Sequence, residues 1–374
     1  MAELLSDTEW DPVSDISTNH LSFLMMMGLP KRFFRKEDQK QRVRDVEHAL
    51  SASGVGEDVV RNRVVGSFAM GYSIPDAVKL TNPPSIVNFD RTVDVLIEIK
   101  KLKVAEDVSE SQNRRLFATL DCSEVHFGYA RLRVENAELS PTLSGGHESV
   151  IFGEESSKYF VSSKYHRENS TLDGAENKLE QEDVDQKYLY NQSVAFPCVT
   201  WPKFAMDWIT RPRNGKWLSE LSAESISSRG CHVIPFSHPN SSSHDTEWKI
   251  SFAVAEKILS EEVVTEDQRR CFVFFLLLAR QQTIRSCLEF HHYLTVFYYA
   301  CEKLSISLWV ENPGCCLLYM IDSLVQCLRQ KNLQHYFIPQ NNLIDFVNEE
   351  ELSENLEIFE NLRTNVVSTF LTFA

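Results

Sequence analysis

Positive charge is what this sequence is shortest of: 38 lysines and arginines stand against 53 aspartates and glutamates, a formal net charge of −15. A surface of that sign repels nucleic acid unless its cations gather on one face. One gathering runs through Lys31, Arg32, Arg35 and Lys36 to Lys40, Arg42 and Arg44. A solvated helix entrance is the preferred reading of it, with a nucleic-acid patch as the other. No apolar run reaches membrane length. The most continuous, residues 271–279, is about half the ~20 residues a spanning helix needs and reads as the core of a buried helix. The opening residues lack a basic, apolar export signal and the N-terminal glycine that myristoylation requires. A cytoplasmic location with no membrane partner is therefore expected, the nucleus being the alternative.

Paired-cysteine frameworks and metal motifs are missing too. The nine cysteines are odd in number. Several, Cys198, Cys271, Cys301 and Cys327 among them, sit inside apolar segments and are expected to be reduced core thiols. Cys315 and Cys316 are adjacent, and His291 and His292 have no cysteine at ligand spacing, so no zinc is expected and those histidines read as core or interface residues. Also absent are the Gly-x-Ser-x-Gly elbow, the Walker loop, the dinucleotide fingerprint and the His-Glu-x-x-His motif.

What is present is a globular composition, 43% hydrophobic and 24% charged, able to bury a large core. Residues 36–50 carry Val43, Val46 and Leu50 at helical spacing, followed by Gly54 and Gly56. Strand-like runs follow at 63–66, 92–99 and 126–134. Residues 135–187 turn polar and read as an insertion, with a short ordered piece at 159–161. From Trp248 onward the pattern is helical: Trp248, Phe252, Ala255 and Leu259 recur at spacings of four and three, as do Leu317, Ile321, Leu324 and Leu328. Pro313 and Gly314 separate two helices, and Ile338-Pro339 ends another. No repeat is visible. The order is a mixed α+β front and a helical back.

Three segments of the back half resemble the male-abnormal-twenty-one family and its cyclic GMP-AMP synthase-like relatives. The first is Trp248-Lys249-Ile250-Ser251-Phe252 with Glu256 four residues later. The second is His335-Tyr336-Phe337-Ile338-Pro339 before Asn342-Leu343. The third is Ala195-Phe196-Pro197-Cys198 with Trp201-Pro202 and later Val233-Ile234-Pro235. Trp248, Phe252, Tyr336 and Phe337 are expected to pack rather than to react.

The resemblance implies a bilobed α+β fold: a nucleotidyltransferase palm with a mixed sheet, a C-terminal helical lobe, and a long N-terminal helix bridging the two. On that reading residues 1–20 are a flexible N-terminus, 21–245 the palm-bearing lobe with the polar insertion at about 135–187, and 246–374 the helical lobe. A cleft between the lobes would be lined by Gly66, Ser67, Asp94 and Asn191. Gly66 and Ser67 sit where a tight turn holds nucleotide phosphates. Enzymes of this type use three carboxylates and Mg²⁺ to activate the attacking hydroxyl. Two of the acids lie two residues apart on one strand. Here Asp94 matches the second acid, while Thr92 stands at the first position and Asn191 at the third. Thr92 and Asn191 offer only neutral oxygens. Asp90 and Glu98 are the alternative metal carboxylates under another register.

Two functions follow from that resemblance. The first is a pseudoenzyme, a noncatalytic signalling or regulatory protein that binds a nucleotide (ATP or GTP) or a protein partner, in innate immunity if the relatives are followed. The second is an active synthase making a cyclic dinucleotide, with Mg²⁺ as its cofactor, when it senses nucleic acid. Double-stranded RNA would suit that role better than double-stranded DNA, because the zinc-binding insertion of cyclic GMP-AMP synthase is missing and the chain is acidic.

Overall fold

The computed structural model describes residues 16–28, 36–52, 59–72, 92–99, 102–106, 117–134, 150–153, 158–169, 189–213, 217–282 and 287–371. Helix α1 (Ile16–Gly28) buries Leu21 and Met25, and α2 (Lys36–Ala52) buries Val43 and Leu50. Strand β1 (Val59–Val65) leads through the short helix α3 (Gly66–Ala69) toward β2 (Thr92–Ile99). Alternation along β2 divides its side chains. Val93, Val95 and Ile97 pack with Val64, Phe68, Val43 and Leu50, while Leu96 packs on the other face with Val65 and Ala195.

The sheet continues through β3 (Lys103–Ala105), β4 (Phe117–Asp121), β5 (Tyr129–Val134), the hairpin β6 (Val150–Gly153) and β7 (Lys158–Val161), helix α4 (Ser163–Asn169), and β8 (Leu189–Cys198). Short helices α5 (Asp207–Thr210) and α6 (Glu220–Ser227) precede β9 (Cys231–Ile234) and β10 (Glu247–Ser251). The strand order is β1-β2-β8-β3-β4-β5-β10-β9, and β9 returns to pair with β8. β8 is the branch point. Its first part runs parallel to β2, and its last residues pair with β9 and β3.

The back half is helical: α7 (Ala253–Ile258), α8 (Glu266–Gln282), α9 (Phe290–Lys303), α10 (Ile306–Glu311), α11 (Pro313–Arg329) and α12 (Glu349–Leu371). Residues 271–279 are buried in α8, as their apolar run requires, and α11 is buried over most of its length. Each fully buried Leu or Phe here contributes ~1.5–3 kcal/mol relative to exposure. Phe252 stacks on Phe337 at 4.8 Å, Trp201 meets Phe252 at 4.8 Å, and Trp208 meets Phe337 at 4.9 Å, so the aromatics of the three marker segments form one core. All nine cysteines are free thiols.

The structure corrects several expectations. Residues 16–20 are helical, because Thr18, Leu21 and Ser22 are buried in α1's contact with α11. At Gly314 a Cβ would lie 2.3 Å from the Thr18 carbonyl oxygen, so only glycine lets the two helices approach this closely. The single bridging helix is two helices, α1 on α11 and α2 on β1. Residues 247–251 are strand, not helix. Trp248 and Ile250 are buried with period two between β5 and β9, and the helical spacing continues only from Phe252. Within 135–187 the described residues hold β6, β7 and α4; Ser163 and Lys164 anchor α4 by donating backbone N–H groups to the Asp245 carbonyl. Ile338-Pro339 ends no helix: α11 stops at Arg329, and residues 335–339 fold irregularly, with His335 Nδ1 accepting from the N–H groups of Phe337 and Ile338.

Candidate functional site

β1 ends at Val65, opposite Asp94, and Gly66 turns the chain with φ +69°. A Cβ on Gly66 would lie 2.2 Å from Asp94 Oδ2. The glycine therefore lets the turn lie directly against the carboxylate. Long-range bonds hold this turn. Gln39 Nε2 donates to the Phe68 carbonyl, and buried Arg269 donates to the Met70 carbonyl. Lys257 Nζ donates to the Val64 carbonyl at 3.2 Å, and Glu47 Oε1 accepts from Val64 N at 3.0 Å. Tyr72 then inserts among Phe272, Phe290 and Phe297.

β2 and β8 run parallel with Asp94 opposite Asn191. Asn191 Nδ2 donates a hydrogen bond to Asp94 Oδ1 at 3.0 Å. Gly66, Asp94 and Asn191 all line a cleft of about 680 Å³ between the sheet and the helices, within the ordinary range of small-molecule sites. Ser67 is buried in the turn, at 6% exposure, and is not a lining residue. Thr92 opens β2 opposite Leu189. Asp90 lies outside the described residues.

Glu98 is on β2 but away from this group. It pairs with Arg63 and lies 2.8 Å from His232 Nε2. Burial works to raise its acid range, but hydrogen bonds from His232 and Arg63 prevail and hold it below the usual carboxylate value. Leu96, packed with Val65, Ala195 and Ile234, stands between Asp94 and Glu98. Among the described residues no group of three or more His, Cys, Asp or Glu is arranged to hold a metal ion.

The opposite wall comes from the C-terminal helices and the segments joining them, and includes Glu256, Arg280, Glu289, His291 and Tyr293. Burial pushes the Glu256 carboxyl up to about 7, with the positive charge of Lys249 opposing it. Burial likewise lowers Lys249. His291 Nδ1 lies 3.4 Å from Glu289 Oε2, and burial, followed by Lys249 and His335, holds its ring well below the usual imidazole range. His292 caps α9, its Nδ1 accepting from Glu289 N at 2.7 Å. Sequence reasoning missed this wall. Glu256 was visible inside the Trp248-to-Glu256 signature, but Arg280 and His291 reach the cleft only through the packing of α8 and α9.

Residues 267–361, from α8 into α12, match the Mab-21 protein HhH/H2TH-like domain. The chain is 28% identical over 160 residues to Protein mab-21-like 3 of Danio rerio, covering 41% of this chain and 38% of that protein. It is 22% identical over 157 residues to Protein mab-21-like 3 of Xenopus laevis, again 41% of this chain and 38% of the relative. The chain thus spans 38% of the length of these curated relatives. These matches support membership of the Mab-21 family.

Proposed function

We propose, from the premise of Mab-21 family membership, that this chain is a noncatalytic regulatory protein of nucleotidyltransferase fold that binds a nucleotide-sized ligand in its cleft. The observation that carries the reading is the hydrogen bond from Asn191 Nδ2 to Asp94 Oδ1. Where a catalytic site of this type needs another carboxylate, an amide points an N–H at the one that remains. A single negative charge, partly engaged by that donor, does not fit a pair of divalent cations, whose ligand shells demand several anionic oxygens. No metal-dependent step is therefore assigned to these residues.

Binding remains chemically reasonable without catalysis. The cleft combines apolar walls, such as Leu276, Leu288 and Phe290, with a few polar groups, which is the usual make-up of a ligand site. A protein partner reading the liganded state would complete a regulatory role, in the cytoplasm or nucleus.

The test is a mass-spectrometric product assay with ATP and GTP, Mg²⁺ or Mn²⁺, and double-stranded RNA or DNA, run beside nucleotide binding by calorimetry. Nucleotide binding with no product supports the proposal. A cyclic dinucleotide that disappears in Asp94→Ala would overturn it in favour of an active synthase.

A further inference from the structure

Cys198 and Cys231 are Cα partners on the antiparallel strands β8 and β9. Directly opposed residues of such strands have Cα atoms ~4.5–5.5 Å apart, within the ~4.4–6.8 Å that a disulfide spans. Both thiols are buried, and Cys198 Sγ reaches the Thr200 carbonyl at 3.5 Å. This is the last pair of its ladder: the neighbouring Val199 is 63% exposed, and Arg229, two residues before Cys231, is exposed. A small reagent therefore needs only fraying at a strand end to reach them.

We propose that Cys198 and Cys231 form a reversible cross-strand disulfide, a modification site oxidised by a hydroperoxide. Cys198 Sγ attacks the peroxide, whose O–O bond breaks; the distal oxygen stays on sulfur as a sulfenic acid and the other leaves as alcohol or water. Cys231 Sγ then displaces the sulfenic oxygen, which departs as water, so two thiols lose two electrons and two protons in all. A thiol reductant reverses the bond by exchange. The closeness of the two side chains supports this division of labour, since it holds Cys198 below the usual thiol range and, with burial, Cys231 well above it. The bond would fasten β9 to the strand that carries Asn191, independently of whether the cleft is catalytic.

The experiment treats the native chain with hydrogen peroxide, blocks free thiols under denaturing conditions, and maps peptides without reduction. The expected result is a peptide pair linked through Cys198 and Cys231, lost on thiol reduction and absent in Cys198→Ser. In Cys231→Ser, Cys198 should instead be trapped as a sulfenic acid by a dimedone-type probe. Recovery of both cysteines fully blocked while exposed Cys122 is oxidised would overturn the proposal. So would dominant linkage of either cysteine to another. Mapping of the wild-type chain decides the matter even if a variant fails to fold.

Discussion

Asn191 Nδ2 donates to Asp94 Oδ1 at 3.0 Å across two parallel strands, so the amide sits close enough to the carboxylate for a carboxyl group in its place to share a cation with it.

Restoring acids should therefore restore metal binding. The double variant Thr92→Asp, Asn191→Asp is expected to bind Mn²⁺ at least about tenfold more tightly than the wild type, because it adds two negative charges on the strands that carry and flank Asp94. Titration followed by electron paramagnetic resonance checks this. Equal affinity in both proteins would mean that β2 and β8 do not converge on one metal position.

Gly66→Ala should destabilise the chain by about 1–3 kcal/mol, from its left-handed φ and the collision with Asp94. Adding Asp94→Ala should recover the collision part but not the backbone part. Chemical denaturation of the two single variants and the double variant separates the contributions.

Glu256 sets a pH dependence with a defined sign. Its folded pKa, about 7, lies above the ordinary 4.5, so the folded state binds the proton more tightly. Stability from this group is full below about 4.5 and is lost as pH rises to about 7. The loss is at most about 3 kcal/mol, less whatever solvent in the open cleft screens. Glu256→Gln should gain stability relative to wild type at pH 8 and little at pH 4.5. A constant difference across that range would contradict the assignment.

His166 acts in the opposite sense. Burial depresses its ring to about 4 from 6.5, and its Nε2 has no hydrogen-bond partner. Its stabilising contribution is present above pH 6.5 and is lost as pH falls toward 4. His166→Phe keeps a ring against Phe196 and Trp248 and should shift the acid unfolding midpoint downward, as read by circular dichroism.

Much of the local structure was legible. Val43 and Leu50 at helical spacing, the alternation of residues 92–99 and the apolar run at 271–279 each became the element their period demands. Trp248 misled because its spacing to Phe252, Ala255 and Leu259 is helical by coincidence; pairing with β5 and β9 overrides it. The turn at Gly66, the place of Asp94 on its strand and the position of Asn191 were legible through family resemblance, whereas Ser67 was expected to line a cleft that its burial keeps it from.

The sequence by itself determined the periodic elements, the lone acid at Asp94 and the neutral Asn191, because these depend on residue type and on neighbours a few positions away. Only the tertiary structure decided that Asn191 bonds Asp94, that Glu98 is taken by Arg63 and His232, and that Glu256 faces the same cleft from α7. Those partners lie 97, 35 and 134 positions away along the chain for the hydrogen-bonded pairs. Contacts at such separations carry no periodic signature, since chain reversal and strand register, rather than local propensity, bring them together.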